Sequence, residues 1–153
     1  MGQFIAADMI AVRLSPRFPM SVVGSPAYFA ARKPPKAPAD LSRHACLRWR
    51  RSAGAIAPWS LKVGNRPVEI AVTGPFIAND FSTLLSVALE GVGLAQLPRP
   101  VAATALESGR LVEVLAPFAP SAPGVLLYYP DRRQMLPKLR AFVDHIKAEL
   151  RRR

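Results

Sequence analysis

Apolar residues fall in short runs whose spacing switches between the strand and the helix period. Residues 9–14 (Met-Ile-Ala-Val-Arg-Leu) and 20–24 are compact runs of strand length. Ser25 and Pro26 then supply an N-cap and a first-turn proline for a short helix through Tyr28, Phe29 and Arg32. A proline-rich loop over residues 33–37 leads to a turn of helix at Pro38-Ala39-Asp40-Leu41 and a strand over residues 45–49. Residues 59–63 and 68–72 flank Gly64-Asn65-Arg66-Pro67, the pattern of a hairpin. Asn79 or Asp80 caps an amphipathic helix with Phe81, Leu84, Leu85 and Ala88 at helical period. Gly91 stops it, and residues 94–97 form a strand ending at Pro98. Pro100 opens a further helix that Gly109 closes, and strands follow at residues 111–115 and 125–129. The last helix aligns Leu139, Phe142, Val143, Ile146 and Leu150 on one face.

Strands alternating with helices predict an α/β layer fold with a largely parallel sheet. The hairpin adds an antiparallel element, which makes the sheet mixed.

A length of 153 residues suits one sizeable core, and 50% hydrophobic with 20% charged residues is a globular composition. Sixteen prolines against nine glycines sit between the apolar runs and mark many short elements. The net charge of +11 admits nucleic acid, an acidic surface or a basic solvated face. The basic groups Arg50 and Arg51, Arg132 and Arg133, and Arg151, Arg152 and Arg153 are scattered, with no aromatic interleaving, which favours the solvated face.

The single cysteine, Cys46, excludes an internal disulfide and reads as a small buried hydrophobe. The first eight residues carry no basic region before their apolar stretch, and Asp8 interrupts it, unlike a signal peptide. The apolar region near residues 84–97 is broken by Ser86, Glu90 and Gln96, so it does not span a bilayer. The expectation is a cytoplasmic protein.

No catalytic or metal-binding constellation stands out, and no cofactor is expected. Gly24-Ser25-Pro26 lacks the spacing of a nucleophile elbow. Gly91-Val92-Gly93 ends a helix and enters a strand, the reverse of a phosphate-cradling loop. His44 and His145 have no partners at ligand spacing.

Taken in order, several segments resemble the C-terminal regulatory domain of LysR-type transcription regulators. They are residues 10–14, Val22-Val23-Gly24-Ser25-Pro26-Ala27-Tyr28-Phe29, and residues 38–47 with their Pro-x-Asp-Leu-x-x-His-x-Cys-Leu pattern. Gly74-Pro75-Phe76-Ile77-Ala78-Asn79-Asp80, Gly91-Val92-Gly93-Leu94-Ala95-Gln96-Leu97-Pro98, Ser108-Gly109-Arg110-Leu111-Val112, residues 128–133 and residues 139–144 continue the series. Each piece is weak; the ordered series is specific.

The resemblance implies a periplasmic-binding-protein type II-like fold of two α/β subdomains with a small-molecule cleft between them, one subdomain being incomplete here. Residues 1–19 would be the remnant of the first subdomain, 20–127 the second, and 128–153 the returning strand and closing helix of the first. It also implies a small-molecule effector sensor that lacks its winged helix-turn-helix and self-associates. DNA would be reached only through that missing domain, and there is no membrane partner. The alternative is a small basic nucleic-acid-binding protein.

In open α/β sheets ligands sit beyond the carboxyl ends of strands, at helix N-termini. Three junctions qualify: Ser25; Arg48 and Trp49, whose counterpart in the family lines the cleft; and Asn79, Asp80 and Phe81 with Leu97 and Pro98 beside them. Arg48 is the candidate clamp for a carboxylate, since family effectors are often organic acids or aromatics. Its competing role is a surface arginine on an edge strand. For Ser25, Asn79 and Asp80 the competing role is capping, and for Trp49, Phe81 and Leu97 it is core packing.

Overall fold

The structure, a computed structural model, describes residues 9–51, 54–64, 66–130 and 137–151. The N-terminal eight residues, Asn65, Asp131, Arg132, Arg133, Arg152 and Arg153, all invoked above, lie outside the described residues, as does the Leu150 side chain. In chain order the elements begin β1 (Met9–Arg13), β2 (Phe18–Gly24), α1 (Pro26–Ala30), a 3-10 turn (Pro38–Arg43), β3 (Cys46–Trp49), β4 (Trp59–Val63) and β5 (Arg66–Ile70). They continue β6 (Ile77–Ala78), α2 (Phe81–Leu89), β7 (Leu94–Pro98), α3 (Arg99–Glu107) and β8 (Val112–Val114). A second 3-10 turn (Ala116–Phe118), β9 (Ser121–Ala122), β10 (Leu126–Pro130) and α4 (Pro137–Arg151) complete the chain.

These elements form two compact units, Met1–Arg17 with Pro123–Arg153, and Phe18–Ala122. In the first unit β1 and β10 pair antiparallel, Arg13 against Leu126 and Val12 against Leu127. Leu126 and Leu127 therefore lie with β1, ahead of the boundary expected after Leu127. On α4, Val143 is buried, Leu139 and Ile146 are half-buried, and Phe142 is 50% exposed, so the predicted apolar face is only partly covered.

The second unit is built on a mixed sheet in the order β6-β3-β7-β2-β8, with β9 also paired to β2. β3 runs parallel to β6 and β7, while β2 runs against β7, β8 and β9. Five strands thus share one direction, and β2 alone, inserted between β7 and β8, opposes them. The hairpin β4–β5 was expected to supply the antiparallel element of the sheet, but it is a separate two-stranded ribbon. Its register places Val63 opposite Arg66, a two-residue loop, so β5 starts at Arg66 and not at Val68.

Alternation along each strand sends neighbours to opposite faces. Val22, Cys46 and Leu94 join Tyr28, Leu41, Trp59 and Leu61 in one buried cluster, on the face that the hairpin covers. Val23, Leu47, Ala95 and Leu97 join Leu84, Ala88, Ala102 and Ala105 in the other, under α2 and α3. Gln96 is the polar break in this pattern. Its amide spans to the ribbon, accepting from Ser60 N–H at 3.2 Å and donating to Ser60 O at 2.7 Å. A side chain thereby makes the two bonds a neighbouring strand would make.

Candidate functional site

The carboxyl ends of β3, β6 and β7 lie along one edge of the sheet, and α2 and α3 begin there. Free N–H groups at helix starts make such an edge suited to anions. At α2 the first choice of cap was open between Asn79 and Asp80; Asp80 fills it. Its Oδ1 accepts from Thr83 N–H at 2.7 Å and from the Ser82 hydroxyl at 2.6 Å. The Ser82 bond, then the Thr83 bond, hold the Asp80 carboxyl down to about 2, from an ordinary value near 3.8. A depressed folded value means that the charged cap stabilises above pH 4 and that this contribution fades as pH falls through about 2. Between pH 4 and 2 the melting-temperature gap between the parent and Asp80→Asn should shift against the parent, as thermal unfolding across that range will read. A gap independent of pH would show that the carboxylate charge contributes nothing.

Beside the cap, the Trp49 indole N–H donates to Asn79 O at 3.2 Å, and its ring stacks on Phe81 with centroids 5.0 Å apart. Trp49, Asn79, Asp80 and Phe81 form one cluster on the helix face of this edge.

Arg48 does not join them. It is one residue from Trp49 and shares the opposite face with Cys46 and Gln96. Its Nη2–H donates to Gly74 O at 3.0 Å, and its Nε is buried with no hydrogen-bond partner. Leu97 is fully buried in the helix-face cluster, and Pro98, also buried, holds the N-cap position of α3.

Ser25 is at the wrong edge. Because β2 runs against β7, its carboxyl end lies by the amino ends of β3 and β7, away from Asn79 and Pro98. The Ser25 hydroxyl is buried and accepts from Tyr28 N–H at 3.2 Å, a capping role. Grouping it with the other candidates is therefore corrected by strand direction.

Sequence reasoning passed over a polar network at that amino edge. The Tyr28 hydroxyl accepts from Ala45 N–H at 3.0 Å and lies 3.1 Å from His44 Nδ1. Burial, opposed by the Ala45 bond, raises the Tyr28 phenol, and burial with the Arg32 charge lowers His44, Asp40 opposing. Cys46 is fully buried and its thiol is pushed up to about 12 by burial, so it is neutral and unreactive. Among the described residues no three His, Cys, Asp or Glu side chains are placed to share a metal ion. Among the same residues no helix is long and apolar enough to cross a membrane.

Residues 3–151 match the family model described as the LysR substrate binding domain. The chain is a LysR substrate-binding domain. A Pseudomonas aeruginosa protein described as a candidate transcriptional regulator is 40% identical over 148 residues, which is 96% of this chain and 48% of that one. The HTH-type transcriptional regulator PgrR of Escherichia coli is 34% identical over 148 residues, 96% of this chain and 50% of that one. This LysR domain therefore spans about half the length of the curated relatives it matches. Its fold is that of CrgA, a LysR-type transcriptional regulator from Neisseria meningitidis, with a TM-score of 0.77 and 23% identity over 97% of this chain and 50% of that one. The family match replaces the alternative reading of a free-standing basic nucleic-acid-binding protein.

Proposed function

We propose that this LysR domain senses a small organic anion, a carboxylate or an aromatic acid, at the carboxyl edge of β3, β6 and β7, as part of a cytoplasmic transcription regulator. The observation that carries the reading is Arg48. One end of its guanidinium is anchored on Gly74 O while the Nε–H, buried and unpartnered, is a donor in want of an acceptor. A carboxylate oxygen satisfies it with a charge-assisted bond. The Trp49–Phe81 stack and the Asp80 cap hold the neighbouring Asn79 turn in place, while Leu97 is buried in the helix-face core and Pro98 caps α3 at the same edge. Such a ligand shifts a regulator only if it binds two arrangements of the protein unequally. DNA contact in that regulator belongs to a separate winged helix-turn-helix domain. The half-exposed Phe142 on α4 supports self-association.

Calorimetry with benzoate and succinate tests the site. Arg48→Ala should weaken carboxylate binding by about tenfold, the loss of one charged hydrogen bond of about 1.5 kcal/mol. Arg48→Lys, which keeps the charge but not the fork, should recover only part of it. Undiminished affinity in Arg48→Ala would remove Arg48 from the site.

A further inference from the structure

At the other edge of the sheet, the loop after α1 and the 3-10 turn before β3 enclose a groove of about 380 Å³, within the size range of small-ligand pockets. Arg32, Lys33 and Lys36 line it from the loop and Arg43 from the end of the 3-10 turn. Four cations thus surround a single carboxylate, Asp40. That carboxylate is already engaged: Oδ2 accepts Lys36 N–H and Ala37 N–H, each at 2.9 Å. The Ala37 bond first, then the Lys36 bond, hold its carboxyl below the ordinary range. None of the four cations is in a salt bridge with a described carboxylate, and Asp40, which interacts electrostatically with Arg43, offsets only one of the four charges.

The groove is also partly fixed in shape. Pro34 and Pro35 set the backbone of the loop wall, which lowers the entropy lost on binding. The Arg32 guanidinium lies 5.0 Å over the Tyr28 ring, which tethers it at the rim. His44 lines the groove too. The Tyr28 hydroxyl accepts Ala45 N–H, and its contact with His44 Nδ1 runs from hydroxyl to ring in the tautomer protonated on Nε2. In that tautomer Nε2–H is a further donor for an anion.

We propose that this groove is a second ligand site, one that takes a small soluble oligophosphate. Several cations around one concavity call for several negative charges on a compact ligand, and a diphosphate supplies them with many acceptor oxygens. The cations ring a hollow and do not form a ridge, which suits a small anion over a polymer backbone. The site is independent of the carboxylate reading, because Arg48 lies at the far end of β3.

The test titrates the chain with inorganic pyrophosphate at about 50 mM salt, where screening is weak. Calorimetry gives the affinity, and the His44 and His145 ring resonances report the place. A saturable shift of His44 with His145 unmoved is expected. Lys33→Gln combined with Arg43→Gln, both exposed positions, should raise Kd about tenfold with an unchanged circular dichroism spectrum. Arg48→Ala should leave pyrophosphate binding as it was, so that failure of the carboxylate site and failure of this one are read separately. Equal, non-saturating shifts of both histidines, or undiminished affinity in the double variant, would overturn the assignment. So would a duplex oligonucleotide that displaces pyrophosphate from His44 and binds more tightly.

Discussion

Replacing Gly74 by alanine is expected to destabilise the domain by about 3 kcal/mol or more, well beyond the usual cost of one added methyl. The segment before β6 lies flat against β3. Cys46 N–H donates to Thr73 O at 2.9 Å, Arg48 N–H to Phe76 O at 3.0 Å and Arg50 N–H to Ala78 O at 2.7 Å. A Cβ on Gly74 would stand 2.1 Å from Cys46 O and 2.6 Å from Cys46 N. Both are backbone atoms of a strand whose side chains sit in the core, so neither can rotate away. The segment must lift, losing ladder bonds and the carbonyl that anchors Arg48. For a domain of this size the melting temperature should fall by about 6–12 °C. Gly109→Asn is the control: its φ of +69° is tolerated by asparagine and its Cβ meets nothing within 4 Å. That change should cost less than about 1 kcal/mol. If Gly74→Ala melts with the parent, the close approach of the two backbones is not there.

Leu47→Ala should cost about 3–5 kcal/mol, a large share of the 5–15 kcal/mol that holds typical domains folded. Leu47 is fully buried on the central strand side of the helix-face cluster, among Leu84, Ala95 and Leu97. Truncation removes its apolar contacts and leaves a cavity between β3 and α2 that neighbours on three paired strands cannot close. Leu47→Met keeps the volume and should stay within about 1.5 kcal/mol. Urea unfolding measures both. A loss below about 1 kcal/mol for the alanine variant would mean that the helices collapse onto the gap.

Much of the fold was legible because its local chemistry and its pattern agree. Ser25 with Pro26, and Asp80 ahead of an amphipathic run, are caps in sequence and caps in the structure. The two runs on either side of Gly64 pair in register, as the hairpin pattern implied. The two-residue strands β6 and β9 carry no period and exist only through their partners, so pattern reading had nothing to find. Direction was the larger gap. Nothing in residues 18–24 says that β2 opposes its neighbours, and that one fact sends Ser25 to the edge away from Pro98. Adjacent numbers misled in the same way at Arg48 and Trp49, whose side chains part to opposite faces. Gln96, a lone amide in an apolar strand, was a visible signal that pattern reading took only as a break in hydrophobicity.

The interleaving of the two units sets an order on how the chain is completed. β1 and β10 pair across the whole of the Phe18–Ala122 unit, Arg13 meeting Leu126. The ribosome releases β1 before the Phe18–Ala122 unit, yet its ladder stays open until β10 has been made. The continuous unit between them holds its own strands and both of its buried clusters, and it can finish folding in that interval. Once folded it pairs Phe18 with Ala122, replacing a closure over more than a hundred flexible residues by a short one. β1 is thus made before the inner unit and paired after it.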